Sequence, residues 1–319
     1  MFGEIMIEKV NINARATARG IRKNFYIFIS PWLVGFIFLT LGPMLFSLYM
    51  SFTKWDMITE IKWIGFQNYI NIFSDKDFWQ ALKVTFYWAA FLPVGIILSL
   101  TLASLLNMNI RGKTIFRTIM YIPVIVPAVA NCLLWLWMFN YDYGFLNLIL
   151  RKIGLSPSLW IMHPKTAIPS LILMSLWQTG GNVVIFLAAL QGVDKTLMEA
   201  AEIDGANTIR RYFNIVIPMI SPAIFFQLIM GIIGALQVFN QGYLMTGGGG
   251  PLKATLFYVL YIYQTAFEKY QMGYASALSW ILFIIIGILT LLVFSTIGKK
   301  VYYESKRGVY EKASVKSYQ

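Results

Sequence analysis

Six long apolar runs, separated by short polar segments, constrain the fold of this chain more than any other feature. Each run reaches the roughly 20 residues that a membrane-spanning helix needs. The chain of 319 residues is 58% hydrophobic and only 13% charged, whereas soluble domains average about 25% charged residues. We therefore predict an all-α, polytopic membrane protein with six transmembrane helices, at approximately 25–52, 79–106, 115–139, 167–190, 222–244 and 272–297.

The distribution of lysine and arginine predicts how these helices are oriented. Of the 26 basic residues, 17 fall in the two tails and the second and fourth loops, and eight fall in the first, third and fifth loops. Because cytoplasmic loops are enriched in Lys and Arg, we assign the first set to the cytoplasm. The net charge of +12 thus lies at span ends and does not point to nucleic acid. We expect cytoplasmic tails at 1–24 and 299–319 around a six-helix transmembrane domain at 25–298.

The longest polar interruption, Glu199–Pro222, lies between the fourth and fifth apolar runs. Helix-forming residues precede Gly205, which should end the first helix because glycine favours turns over helix interiors. A second mixed run continues to Pro218, and proline is tolerated in the first turn of a helix. The pattern predicts two short helices at an angle, lying outside the membrane and shaped to fit a cleft in a partner protein.

This stretch also resembles the Glu-Ala-Ala loop of the membrane subunits of binding-protein-dependent ABC importers. The resemblance implies that residues 192–221, which we call the coupling loop, dock into a separate ATPase subunit and transmit its nucleotide-driven closure to the transmembrane helices. Tyr212 departs from the family pattern, which usually has phenylalanine there, but it keeps an aromatic ring. The implied coupling residues are Glu199, Ala200, Ala201, Asp204, Gly205, Ala206, Tyr212 and Pro218, and Ile215 and Pro222 also match the pattern.

Four further segments are similar to carbohydrate-importer permeases of the maltose and glycerol-phosphate type. They are Gly65–Tyr69, Met245–Pro251, Tyr263–Phe267 and Met272–Ala277, and the glycine run in the second has one residue more than is usual. The resemblance implies a type I ABC importer permease fold in a bacterial cytoplasmic membrane, importing a mono- or oligosaccharide. It also implies four partners: a second homologous permease in a heterodimer, two ATPase subunits and an extracellular solute-binding protein.

No segment has the pattern of a nucleotide-binding loop. Gly247–Gly250 is not followed by Gly-Lys-Ser/Thr, and Gly112–Thr114 follows an apolar span and has Asn107 where the first glycine of that motif belongs. We therefore expect a non-catalytic transport subunit without a cofactor of its own, with ATP and Mg bound in the partner ATPase subunits. Cys132 and His163, each the only residue of its type, predict neither a disulfide nor a metal site.

Polar side chains inside apolar spans are costly and usually face a bundle interior or a water-filled path. Amides suit sugar hydroxyls because they both donate and accept hydrogen bonds. The alternative is that these amides only join one helix to another. The candidate substrate-path residues are Gln178, Asn182, Gln237, Asn240 and Tyr243, with Gln178, Gln237 and Asn240 favoured because their spans flank the coupling loop; Asn131, Trp177, Thr179, Gln227 and Gln241 are further candidates.

Two other classes of membrane protein are alternatives. An ion-coupled secondary transporter of a small polar solute would carry ionisable residues inside its spans, and these spans have almost none. A membrane enzyme would need a nucleophile, an acid–base pair or a metal cluster near the membrane, and the sequence has no recognisable one. Co-purification with an ATPase subunit would favour the importer, whereas transport by the chain alone would favour the alternatives.

Overall fold

A computed structural model of the chain describes residues 24–108 and 111–302. These residues form an almost entirely helical structure, as predicted. The strands are limited to a small antiparallel ladder in which β1 (Thr53–Lys54) pairs with β2 (Lys62–Trp63). Nearly all of the two predicted tails lies outside the described residues.

The helices are named in chain order. They are α1 (Asn24–Ser51), α2 (Gln67–Ser74), α3 (Lys76–Ala89), α4 (Leu92–Asn107), α5 (Lys113–Ile125), α6 (Ala128–Met138), α7 (Phe145–Lys152), α8 (Pro164–Trp177), α9 (Gly180–Gln191), α10 (Lys195–Ile203), α11 (Thr208–Met219), α12 (Ser221–Leu236), α13 (Tyr258–Tyr263) and α14 (Met272–Thr296). Single π-helical turns occur at Phe36–Leu41 in α1, at Tyr212–Val216 in α11, at Gln241–Met245 and at Gln264–Glu268.

Among the described residues, three segments are long and apolar enough to cross a membrane, namely α1, α3 together with α4, and α14. Three further pairs of helices pass the same test but are bent, α5–α6 by 101°, α8–α9 by 46° and α11–α12 by 63°. Counting each bent pair as one crossing gives up to six spans. The first, second and sixth apolar runs therefore correspond to continuous segments and the third and fourth to broken ones, whereas the bend between α11 and α12 lies just before the fifth run.

The third and fourth predicted spans are interrupted, and the fifth ends earlier than predicted. The third breaks at Val126, whose ψ of 123° is extended, because Pro127 disfavours helical conformation in the residue before it. The fourth breaks between Trp177 and Gly180, where the chain resumes as a helix with two poorly helix-forming glycines. The fifth ends at Leu236 rather than 244, because the chain leaves the helix there and enters the π-helical turn that packs on α6.

Short-range hydrogen bonds set where the spans begin. Asp75 caps α3 by accepting a hydrogen bond of 2.8 Å from the backbone N–H of Asp77. His163 caps α8 by accepting a hydrogen bond at Nδ1 from the backbone N–H of Lys165, and Pro164 occupies the first turn. These caps satisfy backbone donors that the first turn of a helix leaves without partners.

The interior is divided into two apolar cores. The larger one is built from α3, α6, α8, α13 and α14 around residues such as Phe139, Leu171, Leu236, Tyr258 and Leu278. The smaller one joins α4, α9 and α11 around Ile96, Phe186, Leu190, Val216 and Ile220. The interruptions between α3 and α4, and between α8 and α9, fall where one core gives way to the other, so irregular backbone is concentrated at one level of the molecule.

Candidate functional site

The coupling loop forms two capped helices, as its sequence predicts. Asp194 accepts a hydrogen bond of 2.9 Å from the backbone N–H of Thr196 and starts α10. Asn207 accepts one of 2.8 Å from the backbone N–H of Arg210 and starts α11. Side-chain oxygens at these positions compensate the free N–H groups of a helix start, so each of the two helices has its own local start signal.

Gly205 makes the turn between the two helices. Its φ is +79°, a left-handed conformation that costs other residues roughly 1–2 kcal/mol. The turn is closed by the backbone N–H of Ala206, which donates to the carbonyl of Ala201 at 2.9 Å. This pattern is the usual glycine termination of a helix. A Cβ at Gly205 would meet none of the described atoms beyond its two chain neighbours within 4 Å, so there is room around it for a partner.

One side-chain contact joins the two helices of the coupling loop, and another joins the loop to α4. Arg211 pairs with Glu202 at 2.5 Å, and the Arg211 side chain is only 15% exposed. The hydroxyl of Tyr212 shares a hydrogen bond of 2.8 Å with the hydroxyl of Ser104 at the end of α4. A phenylalanine at position 212 could not make this bond. The loop is therefore fixed to the end of α4 by this bond.

The outer surface of the coupling loop is exposed and partly apolar. Ile203 is 87% exposed and Ile209 is 69% exposed, on either side of the turn. Such a protruding apolar patch is typical of a protein–protein contact. Of the predicted coupling residues, Glu199, Ala200, Asp204 and Gly205 are exposed, and Ala201, Ala206, Tyr212 and Pro218 are half-buried.

A cavity of about 310 Å³ lies among the helix interruptions, and we call it the central cavity. Its wall comes from the ends of α3 and α8, the starts of α4 and α9, and the last turns of α12. Irregular backbone at membrane depth is tolerated where it lines a cavity. The residues that line it are Trp88, Phe91, Leu92, Gly95, Ile96, Ile172, Ser175, Leu176, Thr179, Asn182, Gly231, Gly234, Ala235, Val238 and Gln241.

Only part of the predicted substrate path meets at this cavity. Asn182 and Gln241 line it, and within the described part of the chain neither amide makes a side-chain hydrogen bond. Thr179 also lines it but donates its hydroxyl to the carbonyl of Leu176. The structure places Gln178, Gln237, Asn240 and Tyr243 outside the lining, with Gln237 and Tyr243 exposed and Gln178 and Asn240 half-buried.

Two other predicted amides are buried without partners. Asn131 in α6 is 1% exposed, and its Oδ1 has no hydrogen-bond partner among the described residues. Nε1 of Trp135, one helical turn after Asn131, and Nε2 of Gln227 in α12 are likewise buried without a hydrogen-bond partner among the described residues. The Trp135 ring meets Trp177 edge-to-face at 5.8 Å. Neither amide therefore joins two helices of the described chain.

A polar cluster that the sequence analysis did not single out lies at the start of α3. The Asp75 carboxylate accepts hydrogen bonds from the hydroxyls of Tyr261 and Tyr274. Burial tends to raise the pKa of Asp75, but the bonds from Tyr261, the backbone N–H of Asp77 and Tyr274 together hold the pKa below its usual value. Asp77 pairs with Lys253 at 2.5 Å. The cluster connects the start of the second span to α13, to α14 and to the segment that precedes α13.

Together, the broken apolar helices, the central cavity and the protruding coupling loop define a membrane transport subunit. The family model described as the binding-protein-dependent transport system inner membrane component matches residues 92–302. The chain belongs to this family of transport permeases.

Several relatives match most of this chain. A probable ABC transporter permease, YesP of Bacillus subtilis, is 42% identical over 92% of this chain and 97% of its own. The lactose transport permease LacF of Rhizobium radiobacter is 34% identical over 87% and 97% of the two chains. The trehalose/maltose transport permease MalF of Thermococcus litoralis is 32% identical over 86% and 93%.

A solved structure supports the fold. A chain of a bacterial ABC transporter involved in importing the acidic polysaccharide alginate superposes with a TM-score of 0.78, at 22% sequence identity, over 89% of this chain and 98% of that one. A second structure of the bacterial alginate transporter, in complex with a periplasmic protein that holds an alginate pentasaccharide, gives a TM-score of 0.76. These likenesses establish a shared helical architecture.

Proposed function

We propose that this chain is a permease subunit of an ATP-driven importer that translocates a mono- or oligosaccharide delivered by an extracellular solute-binding protein. The observation that carries the proposal is the coupling loop, an exposed pair of helices that is fixed to α4 and has the family's Glu-Ala-Ala pattern. The substrate class is supported by the lactose and trehalose/maltose permeases among its relatives.

The exposed surface of the coupling loop supports docking to an ATPase subunit. Glu199 is exposed and forms no ion pair with the described residues, whereas Glu202 is already paired with Arg211. Ile203 and Ile209 add apolar area that would leave water on docking. In this proposal ATP and Mg bind in two partner ATPase subunits, and this chain contributes only the contact through which their closure is transmitted.

The central cavity supports a path for a neutral polar solute. None of the described residues that line it is ionisable. Coupling to an ion gradient generally uses acidic or basic groups in the membrane interior, so the lining disfavours the secondary transporter. The free amides of Asn182 and Gln241 suit hydroxyl groups, and the ring of Trp88 offers an apolar face.

The isolation of α1 supports a second permease subunit. No residue of its first part, 24–41, is buried in the described structure, and none contributes to either apolar core. A helix that packs so little on its own chain has a whole face free for another membrane helix. We propose that a homologous permease covers this face, with both termini of this chain on the cytoplasmic side as the basic residues indicate.

Co-purification tests the proposal. The tagged chain, co-expressed with the genes next to its own, should retain an ATPase subunit in mild detergent. A matched variant that replaces Ile203 and Ile209 by glutamate should insert in the membrane equally well but lose the ATPase, because the apolar contact becomes charged. Equal recovery of the ATPase with both proteins would contradict docking through the coupling loop.

A further inference from the structure

A second cavity, which we call the Arg117 groove, lies between α5 and α9. It has a volume of about 250 Å³ and is lined by Leu106, Arg117, Met120, Gly180, Val183, Val184, Leu187, Ala188 and Gln191. It shares no lining residue with the central cavity. The wall is apolar except for the Arg117 guanidinium and the Gln191 amide, and it contains no acidic residue. The positive charge of Arg117 in this groove is therefore not neutralised by any acidic residue of the groove wall.

Arg117 lies within a membrane helix. From the sequence it is counted with the basic residues of the second loop, although the predicted third span starts at 115. In the structure α5 begins at Lys113, so Arg117 sits in its second turn, about 6 Å along the helix axis. Side chains of a helix lean toward its amino-terminal end. That end carries the basic residues assigned to the cytoplasm, so the guanidinium extends along the groove toward the membrane surface.

The Arg117 guanidinium makes no side-chain hydrogen bond or ion pair with the described residues. Its Nε is buried and has no hydrogen-bond partner among the described residues. A guanidinium has five N–H donors that match the oxygens of a phosphate or carboxylate. Two exposed basic residues, Arg111 and Lys113, stand at the same end of α5, and the first turn of that helix has no acidic residue. The unpaired guanidinium donor of Arg117 and the positive charge at this end of α5 both favour binding of an anion.

The shape of the groove indicates an anion with an apolar tail. Its inner end is closed where α5 and α9 touch, since a Cβ on Gly180 would lie 2.0 Å from the carbonyl oxygen of Met120. From there a stripe of Val183, Val184, Leu187 and Ala188 runs toward Gln191 at the mouth. The stripe follows the spacing of one helix face, and it offers a hydrocarbon chain a continuous apolar channel.

The surface around the groove is suited to lipid. Ile115, Ile119 and Ile122 are all exposed along the outer side of α5, with Val184 exposed across the groove. Basic pockets between membrane helices on the cytoplasmic side favour anionic lipid headgroups. We propose that the Arg117 groove binds one anionic phospholipid, with its phosphate on the Arg117 guanidinium and an acyl chain along Val184 and Leu187.

Lipid retention tests this proposal. The transporter is purified in mild detergent with equal amounts of phosphatidylglycerol and phosphatidylcholine of the same acyl chains, and bound lipid is counted by native mass spectrometry. We expect Arg117→Gln to retain phosphatidylglycerol about tenfold less than the unchanged chain, the size expected for losing a charged hydrogen-bond partner. Arg117→Lys should keep most of it. Arg111→Gln, which removes an exposed charge at the same helix end, should leave it unchanged.

Two further arms separate this site from other occupants. Val184→Trp fills the groove but keeps the guanidinium, and it should also reduce phosphatidylglycerol retention, which makes the test independent of whether Arg117→Gln folds. Millimolar inorganic phosphate should not displace the lipid, because the acyl chain contributes to its binding. Equal retention by the unchanged chain, Arg117→Gln and Val184→Trp would overturn the proposal. So would loss of a second permease subunit from Arg117→Gln with lipid retention unchanged, since Arg117 would then face that subunit.

Discussion

Gly205 shows how a single residue can matter for coupling without a packing role in its own chain. Its φ of +79° strains any other residue, but the space around it is open. Folding alone therefore tolerates a side chain there at a cost of roughly 1–2 kcal/mol. From the sequence, glycine was expected here because it favours turns. In the structure a side chain at this position lacks room only if a partner docks against the turn.

Gly205→Asp should abolish transport while the membrane helices still insert, either by loss of the ATPase subunit or by uncoupled hydrolysis. Gly154→Asp is a matched control, because Gly154 has the same φ of +79° and equally open surroundings but lies in the loop after α7. Sugar uptake and ATPase co-purification are measured for both. If the two variants lose uptake equally, backbone strain explains the loss and the docking role is wrong.

Asn182 is the path candidate that the structure favours, although the sequence favoured Gln237. Asn182 lines the central cavity with a free amide, and Gln237 is exposed outside it. Asn182→Ala should lower uptake about two- to tenfold, which corresponds to the loss of one neutral hydrogen bond, with ATPase co-purification retained. Gln237→Ala should have a smaller effect. Normal uptake by Asn182→Ala would identify this amide as one that only joins helices.

At the scale of elements, the break between α8 and α9 depends on one close contact. Gly180 begins α9 against the Met120 carbonyl of α5, and a Cβ there would approach that oxygen to 2.0 Å. The next residue, Gly181, would meet only the Val124 side chain at 3.6 Å, which is ordinary van der Waals contact. A side chain is therefore excluded at Gly180 but accommodated at Gly181. Only the contact at Gly180 fixes how α9 crosses α5.

Gly180→Ala should lower the thermal unfolding midpoint of the purified chain, since overpacking a backbone contact typically costs 1–3 kcal/mol. Gly181→Ala should leave the midpoint unchanged or raise it, because alanine is the better helix former. Both are measured in the same detergent. If the midpoint of Gly180→Ala equals that of the unchanged chain, α5 and α9 can move apart without loss of stability. The contact would then not set the bend.

The elements differ in how far their sequence predicts them. The coupling loop was predictable because its signals are local. Gly205 ends one helix, and the loop forms a long polar segment between two apolar runs. The break at Val126 had a local cause in Pro127, yet its 101° angle did not follow from the sequence. The hydrogen-bond partners of Asp75 could not be predicted from the sequence, because Tyr261 and Tyr274 lie 186 and 199 residues away along the chain.

At the scale of the whole molecule, the two apolar cores explain how a motion could be transmitted. The coupling loop belongs to the smaller core through Tyr212, Ile217 and Val216, and that core includes α4 and α9. The central cavity lies at the junction with the larger core. A displacement of the loop would therefore move α4 and α9 against the larger core and change the cavity between them. Such coupling requires that the partner bind one arrangement more tightly than the other.

Uptake into proteoliposomes tests the central claim most directly. The chain is reconstituted with its partner permease and ATPase subunits, ATP and Mg are enclosed on the side of the coupling loop, and the solute-binding protein with labelled sugar is added on the other side. We predict uptake only when ATP, the ATPase subunits and the binding protein are all present. Sugar uptake by this chain alone, driven by an ion gradient and indifferent to ATP, would contradict the account.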